Sequence, residues 1–127
     1  MLRFPTKDDI LEIHSNQIEK YGGSTGIRDM GLLESALAMP QAMFGGQYLH
    51  SSTYEMAAAY LFHIVSNHPF LDGNKRTGTL AALFFLNLNG LRFEGSGDAL
   101  ESLVISVAQG EADKSVIAMF FREHCVE

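Results

Sequence analysis

The sequence predicts an all-α fold, a single domain over residues 1–127 built as a compact bundle of about six helices with at most a minor β element. Three observations carry that reading. Apolar residues recur at three- and four-residue spacing through most of the chain, residues that cap or break helices fall between those stretches, and no repeat, linker or low-complexity tract interrupts them. At 127 residues, 46% of them hydrophobic, the chain can bury one core and is too short for two.

Each element has its own signal. Thr6 is a good N-cap, Ile10, Ile13, Ile18 and Tyr21 follow at helical spacing, and Gly22-Gly23 closes the segment, so a helix is predicted from about Lys7 to Tyr21. A short second helix begins at the capping residue Asp29, carries Leu32, Leu33, Ala36 and Leu37, and stops at Pro40. A less regular stretch with Phe44, Gly45 and Gly46 leads to Ser51-Ser52-Thr53, which caps a strong helix bearing Met56, Tyr60, Leu61, Ile64 and Val65 and running into His68. Residues Lys75 to Asn89 are apolar nearly all round, which marks the central buried helix, with Gly90 as its left-handed C-terminal cap. Leu91 to Glu94 reads as a brief extended piece and Gly95-Ser96-Gly97 as a turn. Two more helices finish the chain, Asp98 to Gln109 and Asp113 to about His124.

Bulk properties remove several function classes. A formal net charge of -6 gives no electrostatic footprint for DNA or RNA, so a direct nucleic-acid role is disfavoured. The lone Cys125 allows no intramolecular disulfide, which fits a reducing compartment, and it reads as a small hydrophobe. The N-terminal stretch is interrupted early by Lys7, Asp8 and Asp9 and has no signal-peptide core; the most apolar run, Leu80 to Leu88, is too short to span a bilayer. A cytoplasmic protein with no membrane contact is expected.

The chemistry concentrates in nine residues between two apolar helices, His68-Pro69-Phe70-Leu71-Asp72-Gly73-Asn74-Lys75-Arg76. An anion over the start of the following helix meets unpaired backbone N–H groups and the positive end of the helix dipole. Gly73 lets those amides approach a phosphate closely, Asn74 is a natural N-cap, and Lys75 and Arg76 add charge-assisted contacts. Asp72 would repel a bare phosphate unless a cation lay between them, and Mg²⁺ is commonly held by one or two carboxylates plus substrate phosphates. A Mg²⁺-nucleotide therefore fits best. Histidine titrates near neutral pH, so His68 is the candidate base for a hydroxyl, and the implied reaction moves a phosphorus group onto that hydroxyl. Phe70 is read as a core anchor for the loop.

These residues resemble the motif of the Fic/Doc family in its Doc (death on curing) form, His-x-Phe-x-Asp-Ala/Gly-Asn-Lys-Arg, where Fic members end Gly-Asn-Gly-Arg. The match at 68–76 is complete, and the likeness extends through Tyr21 to Ala36 and Ala57 to Leu61. The resemblance implies the small helical Fic/Doc fold and a toxin of a toxin-antitoxin system. The activity it implies is a protein kinase moving the γ-phosphoryl of ATP, with Mg²⁺, to a Ser/Thr hydroxyl of a translation factor, elongation factor Tu by analogy. It makes His68 the general base, Asp72 the Mg²⁺ ligand, Asn74, Lys75 and Arg76 the phosphate anchors, and Gly73 a backbone donor. Lys75 fills the space that glycine leaves open in AMP-transferring Fic members, and Thr79 stands where those carry a further arginine. No Ser/Thr-x-x-x-Glu-Gly/Asn inhibitory motif occurs, so restraint is expected from an antitoxin of the prevents-host-death (Phd) type or similar, whose C-terminal segment folds into a groove. Two alternatives stay open: a Fic-type adenylyltransferase, and a non-catalytic antitoxin-binding or corepressor module.

Other residues carry less. There is no His-Glu-x-x-His for zinc and no P-loop pattern. His63 reads as a core or supporting histidine, and His14 as structural, with a role near the loop as its alternative. His50 and His124 read as peripheral, and Tyr48, Tyr54 and Phe44 as plain packing, with a flap that docks a target chain as the alternative.

Overall fold

A computed structural model describes all 127 residues, and its first helix, α1 (Lys7–Tyr21), starts at the predicted cap. The Thr6 hydroxyl accepts from the Asp9 N–H at 3.1 Å while the Asp9 carboxylate accepts from the Thr6 N–H at 2.8 Å, closing a capping box. In α2 (Met30–Ala38) the Asp29 carboxylate accepts from the Leu32 N–H, and Pro40 then sits in a one-turn 3₁₀ helix, Met39–Gln41. Ser52 caps α3 (Thr53–Asn67), Gly73 precedes α4 (Asn74–Leu88), Ser96 caps α5 (Gly97–Ala108), and Asp113 caps α6 (Lys114–His124). Six helices are present, and α5 begins one residue inside the expected turn because Ser96 holds the Ala99 N–H.

The irregular stretch before α3 is a hairpin. Strands β1 (Met43–Phe44) and β2 (Gln47–Tyr48) pair antiparallel around Gly45-Gly46, both at positive φ, the geometry of the tight turns whose twist matches the strands. Its outer face is apolar, with Phe44 84% exposed. A second ladder joins β3 (Arg92–Phe93) to β4 (Cys125–Val126), so the expected extended piece pairs with the residues that follow α6. On the other side of the same region, the Asn89 side chain accepts from the Arg3 N–H and donates to the Arg3 carbonyl, both at 2.9 Å.

Helices α3 and α4 form the centre, with α6, α2 and α5 packed on α3 and α1 on α4. Close approach of the central pair follows from Gly78 of α4, which faces Leu61, Ile64 and Val65 of α3, and Ala57, Ala58 and Ala59 of α3 are fully buried as well. A Cβ at Gly78 would lie 3.0 Å from Val65 Cγ2 and 3.3 Å from the Leu61 carbonyl. Tyr60, Phe85, Phe121, Ile10, Leu33 and Ile117 fill the core around this contact. No helix is long and apolar enough to cross a membrane.

His50 is buried, which corrects its peripheral reading. With His63 of α3 it flanks Lys114 at the start of α6, whose ammonium donates to His50 Nε2 at 3.3 Å and His63 Nε2 at 3.2 Å. Both rings must be neutral at Nε2 to accept. Burial, then the Lys114 charge, then His50 hold the His63 pKa down at about 4; burial and Lys114 lower His50 in the same way. In the unfolded chain His63, with the ordinary value near 6.5, binds a proton that the folded chain excludes between that value and about 4, and the lowered His50 acts in the same direction. Stability is thus fully present above pH 6.5 and falls as pH drops through this window, at no more than ~1.4 kcal/mol per pH unit per proton. His63→Gln, which keeps an acceptor for Lys114 without titrating, is expected to flatten the decline of melting temperature between pH 7 and about 4.5. An unchanged slope would remove His63 from the account.

Candidate functional site

The loop from His68 to Gly73 joins the two central helices, so whatever it presents rests on the most buried part of the molecule. His68 ends α3 in the left-handed region, φ 53° and ψ 52°, with an exposed side chain. Phe70 turns inward, fully buried. The Asn74 side chain then braces the turn from below: its Oδ1 accepts from the Phe70 N–H at 2.9 Å and its Nδ2 donates to the Phe70 carbonyl at 3.0 Å. This corrects the expected N-cap role. Gly73, at φ 81°, takes the cap position with no side-chain cap bond, and the Asn74 amide is spent on the loop's own peptide, leaving only its backbone N–H for a ligand.

Two further segments hold the loop from outside. His14 of α1 stacks on Phe70 with ring centroids 3.8 Å apart and planes 8° from parallel, and its Nε2 lies 2.8 Å from the Asp72 carbonyl. A carbonyl oxygen only accepts, so Nε2 carries the proton. The glycine-rich stretch after α1 runs alongside: Ile27 pairs with Phe70 in an isolated bridge, Leu71 N–H donates to the Gly26 carbonyl at 3.2 Å, and Arg28 N–H to the Pro69 carbonyl at 2.7 Å. Ser24 N–H donates to Asp72 Oδ2 at 2.7 Å, which aims that exposed carboxylate. The turn expected at Gly22-Gly23 and Gly26 is therefore also a wall of the site. The position of His14 on the buried stripe with Ile10 and Ile18 signals its contact with the loop, whereas the likeness over Tyr21 to Ala36 covers Ser24 and Arg28 without assigning either a role.

Two cavities meet at the start of α4. A pocket of about 240 Å³ is lined by His68, Asp72, Gly73, Asn74 and Lys75, so the structure brings five of the six sequence-predicted residues to one place. A groove of about 730 Å³ runs from there between α1, α4 and α5, past Gln17, Leu100, Glu101 and Ile105. Lys75 borders both. Arg76 faces the groove, its guanidinium 4.3 Å from the Tyr21 ring centroid. The groove is the larger cavity and holds the cations Lys20 and Arg76, but His68 and Asp72 line only the smaller one, which is the better candidate for chemistry. Thr79 donates its hydroxyl to the Lys75 carbonyl at 2.7 Å.

Asp72 is the loop's only carboxylate, and no three His, Cys, Asp or Glu side chains cluster anywhere in the structure. A divalent ion here would take most of its oxygen ligands from phosphates and water, the usual habit of Mg²⁺ and unlike the closed cage of a structural zinc. The donor set fits such an ion.

A model of the Fic/DOC family matches residues 4–86, which include α1 to α3, the whole loop and most of α4. The chain belongs to the Fic/Doc family. Within it, the chain is 36% identical over 120 residues to a protein named Toxin Doc from Mycolicibacterium smegmatis, spanning 93% of this chain and 90% of that one. It is 32% identical over 117 residues to a protein named Protein kinase doc from Escherichia phage P1, spanning 92% of this chain and 91% of that one. The Fic/Doc match ends at Leu86, inside α4, so the family segment comprises the loop and the helices on either side, while α5, which walls the groove, lies beyond it.

Proposed function

We propose that this Fic/Doc chain is a Doc-type toxin, a protein kinase that transfers the γ-phosphoryl group of Mg²⁺-ATP to a Ser/Thr hydroxyl of a translation factor, with elongation factor Tu as the candidate target. The observation that carries the reading is the shared pocket of His68, Asp72 and Lys75 at the uncapped start of α4. His68 accepts the proton of the target hydroxyl as that oxygen bonds to the γ-phosphorus; the bond from phosphorus to the bridging oxygen breaks, and ADP leaves. The backbone N–H groups at Gly73 to Lys75 and the Lys75 ammonium hold phosphate oxygens, and Arg76 adds charge from the groove. Mg²⁺, when bound at Asp72, offsets repulsion between that carboxylate and the phosphates. The exposed β1–β2 hairpin offers the target an apolar edge.

Restraint by an antitoxin belongs to the same proposal. The groove between α1, α4 and α5, about 730 Å³, is the candidate seat for a segment of a Phd-type partner, and it opens onto the reaction pocket at Lys75. A segment lying there blocks the nucleotide without touching His68.

The deciding experiment incubates the chain with Mg²⁺-ATP and elongation factor Tu and weighs the factor by intact mass spectrometry. A gain of one phosphate supports the kinase, a gain of AMP moves the chain to adenylyl transfer, and no gain removes elongation factor Tu as the target. Asp72→Asn keeps an acceptor for Ser24 N–H while losing the charge. Transfer is expected to fall by about a hundredfold or more, with the melting temperature nearly unmoved and more Mg²⁺ needed for half-maximal rate. An unaltered Mg²⁺ dependence would sink the metal role.

A further inference from the structure

His68 is the only residue other than glycine with positive φ. The left-handed region brings the Cβ of an L-residue close to the following carbonyl oxygen and is disfavoured. The residue that follows makes this conformation still harder to explain, because the ring of Pro69 pushes its predecessor toward extended backbone. Local preference therefore points His68 away from the geometry it adopts, and something outside the turn must hold it.

One side chain does so. Arg28, forty residues earlier in the loop between α1 and α2, donates from Nε to the His68 carbonyl at 2.7 Å and from Nη2 to the Asn67 carbonyl at 2.8 Å. Its own backbone N–H donates to the Pro69 carbonyl at 2.7 Å, where Asp29 N–H also donates at 3.0 Å. Three consecutive carbonyls at the C-terminal end of α3 thus converge on one residue. Such carbonyls lack partners within their helix and lie at its negative end, so a guanidinium suits them in both hydrogen bonding and charge.

The consequence for His68 is specific. The peptide before it is held at both ends, by Arg28 on the Asn67 carbonyl and by the His68 N–H on the Ile64 carbonyl at 3.2 Å. The peptide after it is held through the His68 carbonyl. With both flanking peptide planes fixed, φ and ψ of His68 are fixed too, and the imidazole is delivered to the pocket. Arg28 makes no ion pair with a carboxylate, so the guanidinium is given wholly to this end of α3. Its two donors form a rigid planar fork that lysine cannot reproduce.

We infer that Arg28 is a positioning residue for the transfer reaction, one that holds the base His68 in its left-handed conformation. The inference rests on the role of His68 proposed above. The test uses the full chain with Arg28→Ala and Arg28→Lys, each read two ways. By NMR, backbone chemical shifts and the coupling constant that reports φ are expected to show His68 leaving the left-handed region in both variants, while α1, α4 and α6 keep their shifts. In the transfer assay, kcat is expected to fall about ten- to a hundredfold with KM for ATP unchanged, and added guanidinium ion is expected to restore part of the rate in Arg28→Ala but none in His68→Ala. His68 staying at positive φ in a folded Arg28→Ala chain would overturn the inference, as would a loss confined to KM. If the unaltered chain transfers nothing, the functional reading fails, and the NMR measurement alone decides whether Arg28 sets the His68 backbone. Should Arg28→Ala not fold, Arg28→Lys, which retains the charge and loses the fork, carries both measurements.

Discussion

His68→Gly is expected to abolish phosphoryl transfer and at the same time raise the melting temperature. With His68 as the proposed general base, its loss alone costs about 10²–10⁴-fold in rate. The exposed imidazole contributes little packing, and φ 53° is a conformation that glycine adopts freely, so about 1 kcal/mol of backbone strain is relieved. For a chain of this size that is a rise of roughly 3–5 °C, readable by calorimetry. His68→Ala is the control: it loses the base, keeps the strain, and should melt close to the unaltered chain. A lower melting temperature for His68→Gly than for His68→Ala would show that the left-handed turn is not strained. The pair of outcomes would also show stability being spent at the reactive residue, as expected where a site holds a conformation its sequence does not favour.

Phe70→Ala is expected to have the largest effect on stability. The ring is fully buried, belongs to the main core cluster and stacks face to face with His14. Truncation of such a phenyl group costs about 3–5 kcal/mol, a large part of the 5–15 kcal/mol that holds a domain together. Activity should fall further than the unfolded fraction accounts for, because the bonds of Asn74 and His14 to this turn lose the ring they are arranged around. Urea unfolding with the transfer assay on the folded fraction separates the two effects. A loss below about 1 kcal/mol would mean that hydrogen bonds alone hold the loop.

Much of this could be read from the chain because the relevant signals are local. Thr6, Asp29, Ser52 and Asp113 each act on a backbone N–H within three residues, and the helices start there. The motif residues gather in one pocket because a six-residue loop leaves them nowhere else to go. Gly45-Gly46 is also a legible turn signal, yet the stretch around it reads as irregular because each of the paired strands is only two residues long. What could not be read depends on distant partners. Asn74 has the same side chain whether it caps a helix or braces a turn, and only the positive φ at Gly73 decides between them. His50 looks peripheral until α6 brings Lys114 to it from sixty-four residues away. Arg28 sits among glycines with no periodic or charge pattern around it, and its importance appears only when the end of α3 is placed beside it.

The clasp of Arg3 on Asn89 and the pairing of Arg92–Phe93 with Cys125–Val126 gather the outermost residues of the chain at the C-terminal end of α4. The reactive loop lies at the other end of that fifteen-residue helix, about 22 Å away. Anything joined to the chain at either side, whether an affinity handle, a fluorescent reporter or a second protein, enters at the pole remote from the pocket. Surface immobilisation through either end should therefore leave the loop facing solution, and a spectroscopic label placed there should report on the helix without obstructing the pocket.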